Sequence, residues 1–315
     1  MAVHPIVCYD GVDFLCGETE MKRGILCIVA TAFLFSTMEI ASKFVVHDID
    51  PFQLTFLRFL VGGLFLLPFA LRDLRRRNLK LGRGDWLFLA GTGFLGVTVS
   101  MSLFQAALLW AKASVVAVVF SANTIFTSLF AVLILKEKFG WRAAVAILLG
   151  LLGVLCILNP FAVNPDVKGI LLALASAVVF ALYGVVSTTR VGRYGGFVLN
   201  SASFLMGSLL LLPLLLATGR PVVAGITLAN LPVMLYLSFF VTGIGYTCYL
   251  TAMKETSAIQ TSTVFFIKPA LAPLLAWPLL GEAVTPAMAL GIAAIVCGAV
   301  LLFLGKRKRA AALSS

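Results

Sequence analysis

Charge is scarce in this chain of 315 residues: Asp, Glu, Lys and Arg together make up 12% of it, against 61% hydrophobic residues. With a mean hydropathy of +1.07, it cannot present the polar surface that a soluble domain needs, so the solvent for most of it is lipid. Histidine is nearly missing, with His4 and His47 the only two. No H-E-x-x-H occurs and no pair of Asp lies in an apolar run, so the usual constellations of an intramembrane enzyme are lacking. A G-x-x-x-x-G-K-[ST] loop is also missing, and no polar stretch is long enough for a nucleotide-binding domain, which disfavours an ATP-driven pump. The cysteines at 8, 16, 27, 156, 248 and 297 have neither metal nor redox spacing. Those in apolar runs read as small hydrophobes. No metal, cofactor or catalytic residue is expected.

What is present is a succession of apolar runs, each near the ~20 residues that cross a ~30 Å hydrocarbon core as helix. They lie at 22–46, 51–71, 86–109, 113–135, 142–160, 168–189, 196–217, 230–252, 258–280 and 286–304. The runs are too long for spanning strands and lack period-two alternation. The expected fold is all-α, a polytopic membrane protein with ten transmembrane helices. Residues 1–21 are acidic, lack the basic and apolar regions of a signal peptide, and are expected to be disordered; Met21-Lys22-Arg23 reads like a natural start.

The net charge of +11 is a topology signal and not a nucleic-acid footprint. In a ten-span arrangement one side collects Lys22, Arg23, the run Arg75-Arg76-Arg77, Arg83, Lys136, Lys138, Arg142, Arg190, Arg193, Lys254 and the tail 306–315. The other side has only Lys112, Lys168 and Arg220. By the positive-inside rule both termini are cytoplasmic, with the basic runs against anionic lipid of the plasma (inner) membrane.

Shifting the sequence by 145 positions lays its first half on its second without a gap. Gly24 falls on Gly169, Phe35 on Phe180, Gly62 on Gly207, Pro68 on Pro213, Phe120 on Phe265, Glu137 on Glu282 and Gly153 on Gly298. Five helices per unit is an odd number, so the second unit (161–305) enters the membrane from the side opposite to the first (22–160) and is inverted. Two similar halves of opposite orientation can exchange conformations, which is the basis of alternating access in secondary transporters.

The second half also carries Gly245-Tyr246 through Ala252, Ser257-Ala258, Lys268-Pro269, Leu280-Gly281-Glu282 and the stretch Gly291 to Gly298. Leu135-Lys136-Glu137 and Gly150 to Gly153 form the fainter first copy. In order, spacing and duplication these resemble the EamA-type repeat of the drug/metabolite transporter superfamily, over roughly 22–304. The resemblance implies a ten-helix carrier with a central cavity lined mainly by helices 1, 3, 4, 6, 8 and 9. It also implies amino acids or other metabolites as substrates, commonly exported, and a monomer or weak dimer in the bilayer. Arg58 fits the pattern of that family in helix 2, whereas Glu39 departs from it.

Ionisable side chains within spans are costly and mark functional candidates. Glu39 and Lys43 share one face of helix 1, and Glu39 and Arg58 each lie ~10 Å below the outer ends of their helices. They read either as a structural Glu39–Arg58 pair with Lys43 snorkelling outward, or as an outer gate with a proton-titratable carboxylate. Lys268 in helix 9 and Asn123 in helix 4 are equivalent under the shift, both ~15 Å deep. Lys268, followed by Pro269, which frees a backbone carbonyl one turn earlier, reads as the holder of an anionic group of the substrate, as a proton carrier, or as a structural lysine bonded to carbonyls. Ser100, Phe104, Tyr183, Tyr246 and Tyr249 complete a candidate amphipathic substrate pocket or, individually, packing. Glu137 and Glu282 stand before helices 5 and 10 as structural caps. A nucleotide-sugar-type antiporter or a facilitator is the alternative carrier, a nucleotide diphosphate being poorly served by so few cations, and a structural membrane protein is the alternative outside transport.

Overall fold

The computed structural model describes residues 10–45, 48–111, 116, 119–158, 167–268, 270–271 and 286–312. Among them the regular structure is helical, with no strand. In chain order the elements are α1 (Asp10–Lys43), α2 (Pro51–Arg76) and α3 (Arg83–Gly93). A π-helical stretch, π1 (Phe94–Met101), continues into α4 (Ser102–Trp110), followed by α5 (Asn123–Ile134) and α6 (Trp141–Leu158). The second half has α7 (Val167–Tyr194), α8 (Gly196–Ala217), α9 (Leu231–Tyr236), π2 (Leu237–Gly245) and α10 (Tyr246–Glu255). It ends with α11 (Ala258–Thr261), whose helical path resumes at 264–268, and α12 (Pro286–Ala312). Among the described residues 6 helices are long and apolar enough to cross a membrane, with shorter apolar helices at Val119–Ile134, Trp141–Cys156 and Ala289–Leu301.

Two ends differ from expectation. Residues 10–21 are helical where disorder was expected, because α1 begins at Asp10. Once the apolar part of the helix exists, each residue added upstream gains one hydrogen bond without a new nucleus, and no proline interrupts the run. At the other end α12 continues through Lys306–Arg309 to Ala312, so the basic tail is a helical extension of the last span.

The duplication is visible as a pseudo-two-fold arrangement. α2 packs on α8, its equivalent: Phe59 meets Phe204 with ring centroids 4.9 Å apart, Ser201 Oγ donates to Gly63 O at 2.8 Å, and Phe69 stacks on Phe197 at 5.5 Å. As residue numbers rise along α2 they fall along α8, so the two run antiparallel. α6 and α12 are also equivalents and behave alike, Gly153 lying against Gly291 and Gly298 against Ala146. Equivalent helices that run antiparallel are what inversion of the second half requires.

Lipid offers no hydrophobic drive to bring helices together, so close contact relies on small residues and interhelical hydrogen bonds. A Cβ on Gly62 would stand 2.8 Å from Ser238 O, and one on Gly207 would stand 2.5 Å from Gly93 O. These two contacts are symmetry mates, joining α2 to π2 and α8 to α3. Around them Thr92 and Ser203 hydroxyls bond at 2.7 Å, Thr98 Oγ1 donates to Gly207 O at 2.9 Å, and Thr124 Oγ1 to Ser262 O at 2.9 Å. Outward-facing positions are apolar, among them Leu26, Leu87, Leu171 and Leu209, as a lipid-facing surface should be.

Candidate functional site

Residues related by the 145-residue shift that touch each other must straddle the pseudo-two-fold axis. Three such pairs do: Phe59–Phe204 at 4.9 Å, Phe120–Phe265 at 5.8 Å between centroids, and Met101 with Tyr246, whose hydroxyl lies 4.0 Å from the Met101 sulfur. Phe35 and Phe180, a fourth equivalent pair, flank them: Phe35 is 5.1 Å from Tyr246 and 6.4 Å from Phe265, and Phe180 is 6.1 Å and 5.5 Å from the same two rings. The rings meet at tilted or edge-on angles, the favoured arrangement of aromatic quadrupoles.

This aromatic cluster encloses a pocket lined by Phe35, Met38, Arg58, Met101, Phe104, Phe120, Phe180, Tyr246, Phe265 and Lys268. Its cavity of about 30 Å³ has room for one or two waters. The space at the axis is therefore smaller than a metabolite, which is accommodated only after the walls part. π1 and π2 end at this pocket, on Met101 and next to Tyr246. They occupy corresponding stretches of the two halves, and π segments commonly mark functional sites in helices.

The pocket carries two cationic groups. Arg58 is 4% exposed. Its guanidinium donates to Met38 Sδ at 2.8 Å and Met101 Sδ at 3.4 Å, and lies 4.8 Å from the Phe59 ring centroid. Its Nε has no acceptor, and among the described residues no carboxylate reaches it. Lys268 is half-buried at the wall next to α1, where Ser36 Oγ donates to its backbone carbonyl at 3.3 Å.

Of the residues singled out in the sequence, Lys268, Tyr246, Phe104 and Arg58 line this pocket. Others lie behind it. Asn123 is fully buried; its Nδ2 donates to Ala177 O at 3.0 Å and its Oδ1 accepts from Thr127 Oγ1 at 3.2 Å, so it ties α5 to α7. Ser100 and Ser176 exchange hydroxyl-to-carbonyl bonds, 3.1 Å and 2.8 Å, joining π1 to α7. Tyr183 packs its ring over Gly96, with its hydroxyl 3.5 Å from Asn200 Oδ1. The Tyr249 hydroxyl is buried beside Gly184 without a hydrogen-bond partner.

Glu39 and Lys43 lie on α1, but their side chains are outside the described residues, as is Glu282. Glu137 caps a helix, though not the one it precedes: its carboxylate accepts from Ala258 N at 2.7 Å and Ile259 N at 3.3 Å. The unpaired N–H groups it satisfies open α11, in the opposite half.

Sequence reasoning missed Met38 and Met101 as the acceptors of Arg58. It also left Phe35, Phe120, Phe180 and Phe265 out of the pocket, although their identity across the duplication was the signal that could have placed them.

The two ends of the bundle carry corresponding contacts. At the arginine-rich end Asp85, at the start of α3, accepts from Tyr194 Oη at 2.6 Å, Arg193 Nη2 at 3.0 Å and Gly82 N at 2.9 Å. Arg190 lies 3.7 Å away. At the other end the equivalents of Asp85 and Arg193 are Asn230 and Asp48, and Asn230 Nδ2 donates to Asp48 Oδ2 at 3.4 Å. There the 218–230 connection is also held by Arg220 on Asp50 at 2.6 Å and by Gln53 on Ala224 O at 2.7 Å.

Comparison with known proteins adds three findings. The EamA-like transporter family matches the chain twice, over residues 22–159 and 167–304. An uncharacterized transporter of Clostridium kluyveri is 44% identical over 296 residues, covering 91% of this chain and 95% of the relative; the uncharacterized inner membrane transporter YhbE of Escherichia coli is 25% identical over 269 residues, covering 81% and 82%. A solved crystal structure superposes with a TM-score of 0.77 at 23% identity, covering 90% of this chain and 98% of that one, a likeness in fold.

Proposed function

We propose, from the premise that the chain belongs to the EamA-like transporter family, that it is a secondary carrier moving a small amphipathic metabolite by alternating access. The metabolite is an amino acid or a related compound, and the direction is export across the plasma (inner) membrane. The observation that carries this reading is the small aromatic pocket with Lys268 in its wall, built where equivalent residues of the antiparallel halves touch across the pseudo-two-fold axis. A site on that axis is shared by both halves. Exchanging their conformations therefore opens it to one side and then to the other while the ligand stays in place.

The rings of Phe35, Phe120, Phe180 and Phe265 take the apolar body of the solute, and the ammonium of Lys268 takes a carboxylate. Asn123, Ser100, Tyr183 and Tyr249 set the helix positions around them, and Glu39 and Lys43 serve gating or proton coupling near the outer end of α1. The distribution of Lys and Arg supports cytoplasmic termini, and membership of a transporter family points away from catalysis.

Purified protein in proteoliposomes, screened by counterflow with amino acids and related metabolites, tests this reading. At least one solute is expected to exchange in wild type, and Lys268→Ala is expected to cut that exchange tenfold or more, the scale of a charge-assisted hydrogen bond of ~1.5–3 kcal/mol. Equal exchange in both removes Lys268 from the site; no exchange of any solute removes the carrier reading.

A further inference from the structure

We infer that Arg58 is an anion receptor of the pocket, held ready by two thioether sulfurs that the oxygens of a substrate carboxylate displace. The inference rests on the pocket being the substrate site, where Arg58 shares the carboxylate with Lys268, and it makes the preferred ligand an organic acid with an aromatic or apolar body.

A guanidinium presents five N–H donors in a planar fork shaped for carboxylate oxygens. Burying one without compensation is costly, so a buried arginine ordinarily meets a carboxylate or several carbonyls. Arg58, 4% exposed, meets Met38 Sδ and Met101 Sδ, and its Nε meets nothing. Thioether sulfur is a weak acceptor, so the fork keeps most of its capacity for an incoming anion. The Phe59 ring, 4.8 Å from the guanidinium carbon, stabilises the cation by its quadrupole without using any donor.

The symmetry separates this from a fold requirement. The position equivalent to Arg58 in the other half is Ser203, which forms a neutral hydroxyl bond with Thr92. The α2–α8 packing thus accepts a small residue at that site in one half. Met101, on the axis, and Met38, on α1, line the pocket with Arg58 and the aromatic rings, and their sulfurs accept from the guanidinium. A carboxylate that takes their place puts its attached ring or chain among Phe35, Phe120, Phe180 and Phe265. Met38 and Met101 are positioning residues: they hold the fork toward the cavity and leave it unneutralised.

The test uses the full chain in nanodiscs, with benzoate and phenylacetate as probes and benzamide and phenylacetamide as neutral partners of the same shape. Thermal-shift titration is expected to give half-saturation for each acid at least tenfold below that of its amide. Arg58→Gln should remove most of the difference, and Arg58→Lys should retain part of it. Should Arg58→Gln fail to fold, Met101→Glu serves in its place: an internal carboxylate beside the fork should raise the melting temperature without ligand and erase the response to acid.

Equal response to acid and amide in wild type overturns the inference, as does an acid response that survives both Arg58→Gln and Met101→Glu. A preference for acids that emerges only in Glu39→Gln would assign Arg58 to an internal ion pair and also overturn it. Counterflow keeps the two readings apart. Exchange of some solute that is indifferent to acid or amide form leaves the carrier standing and removes Arg58 as receptor, whereas loss of all exchange removes the carrier.

Discussion

Asp85→Asn makes the arginine-rich end of the bundle resemble the other end, where Asn230 already occupies the equivalent place. In wild type the Asp85 side chain is 9% exposed and accepts from Tyr194, Arg193 and the Gly82 backbone, while the side chains of Arg190 and Arg193 are 42% and 51% exposed. Half-exposed ion pairs contribute only ~0.2–1 kcal/mol each. The buried bond from the Tyr194 hydroxyl to a charged acceptor contributes about 1.5 kcal/mol or more. Asparagine keeps one acceptor oxygen, loses the charge and turns an N–H group toward two arginines. The contact is therefore weakened by about 2 kcal/mol, a shift of about thirty-fold in the population open at that end.

The assay is the labelling rate of Phe104→Cys, a pocket residue, in an otherwise cysteine-free chain. Membrane-impermeant maleimide is added to one side or the other of oriented vesicles. Labelling from the Asp85 side should rise about thirty-fold and from the opposite side should fall or stay level. Asn230→Asp, which sets a second carboxylate against Asp48, should do the reverse. Equal increases on both sides would mean general loosening of the bundle, and no change would mean that Asp85 does not close that end; either result refutes the reasoning.

Gly62→Ala forces a methyl carbon to within 2.8 Å of Ser238 O, so α2 and π2 must separate; a loss of about 1–3 kcal/mol, typical of overpacking, should appear as a melting temperature several degrees lower. Glu137→Ala uncovers the N–H groups of Ala258 and Ile259 and should cost ~1 kcal/mol as a lost cap, with Glu137→Gln recovering part of it in the same melting assay. Tyr249→Phe removes a buried hydroxyl that has no partner and should leave the melting temperature equal or higher, since no bond is lost. Tyr194→Phe, which breaks the bond to Asp85, should lower it.

The equivalence of helices was legible in the sequence and the direction of each side chain was not. Counting residues at 1.5 Å of rise sets Asn123 and Lys268 at matching depths in equivalent helices, yet Lys268 lines the pocket while Asn123 turns to Ala177 on α7. Which neighbour a helix face meets is decided by packing partners far away in the chain, and a single sequence does not fix it. The same holds for Glu137, whose partners lie 121 and 122 positions on. The duplication, by contrast, was legible because glycine, proline and phenylalanine recur at one fixed offset, and the structure turns that offset into an axis through Met101–Tyr246 and Phe120–Phe265. The π segments left no trace in the hydrophobic pattern, because a wall that is apolar on every side has no period to shift. Arg58 was readable as a buried cation; its sulfur acceptors were not, since methionine in an apolar run is indistinguishable from packing.

Several residues that lie outside the pocket belong to pairs whose other member lies inside it: Tyr183 with Met38, Asn123 with Lys268, Tyr249 with Phe104, and Ser203 with Arg58. In an inverted-repeat carrier each half adopts, in one state, the conformation its partner holds in the other. The residues behind the wall in this conformation are therefore those expected to line the cavity after the exchange. Tyr249 is the sharpest case, because its hydroxyl is buried without a partner here and would gain water or ligand on exposure. A cysteine at 249 should react slowly in wild type and faster in Asn230→Asp, which opens the other end, while a cysteine at 104 gains most in Asp85→Asn. If the two positions gain reactivity together in both variants, the halves do not exchange conformations, and the cavity opens by a motion that ignores the symmetry.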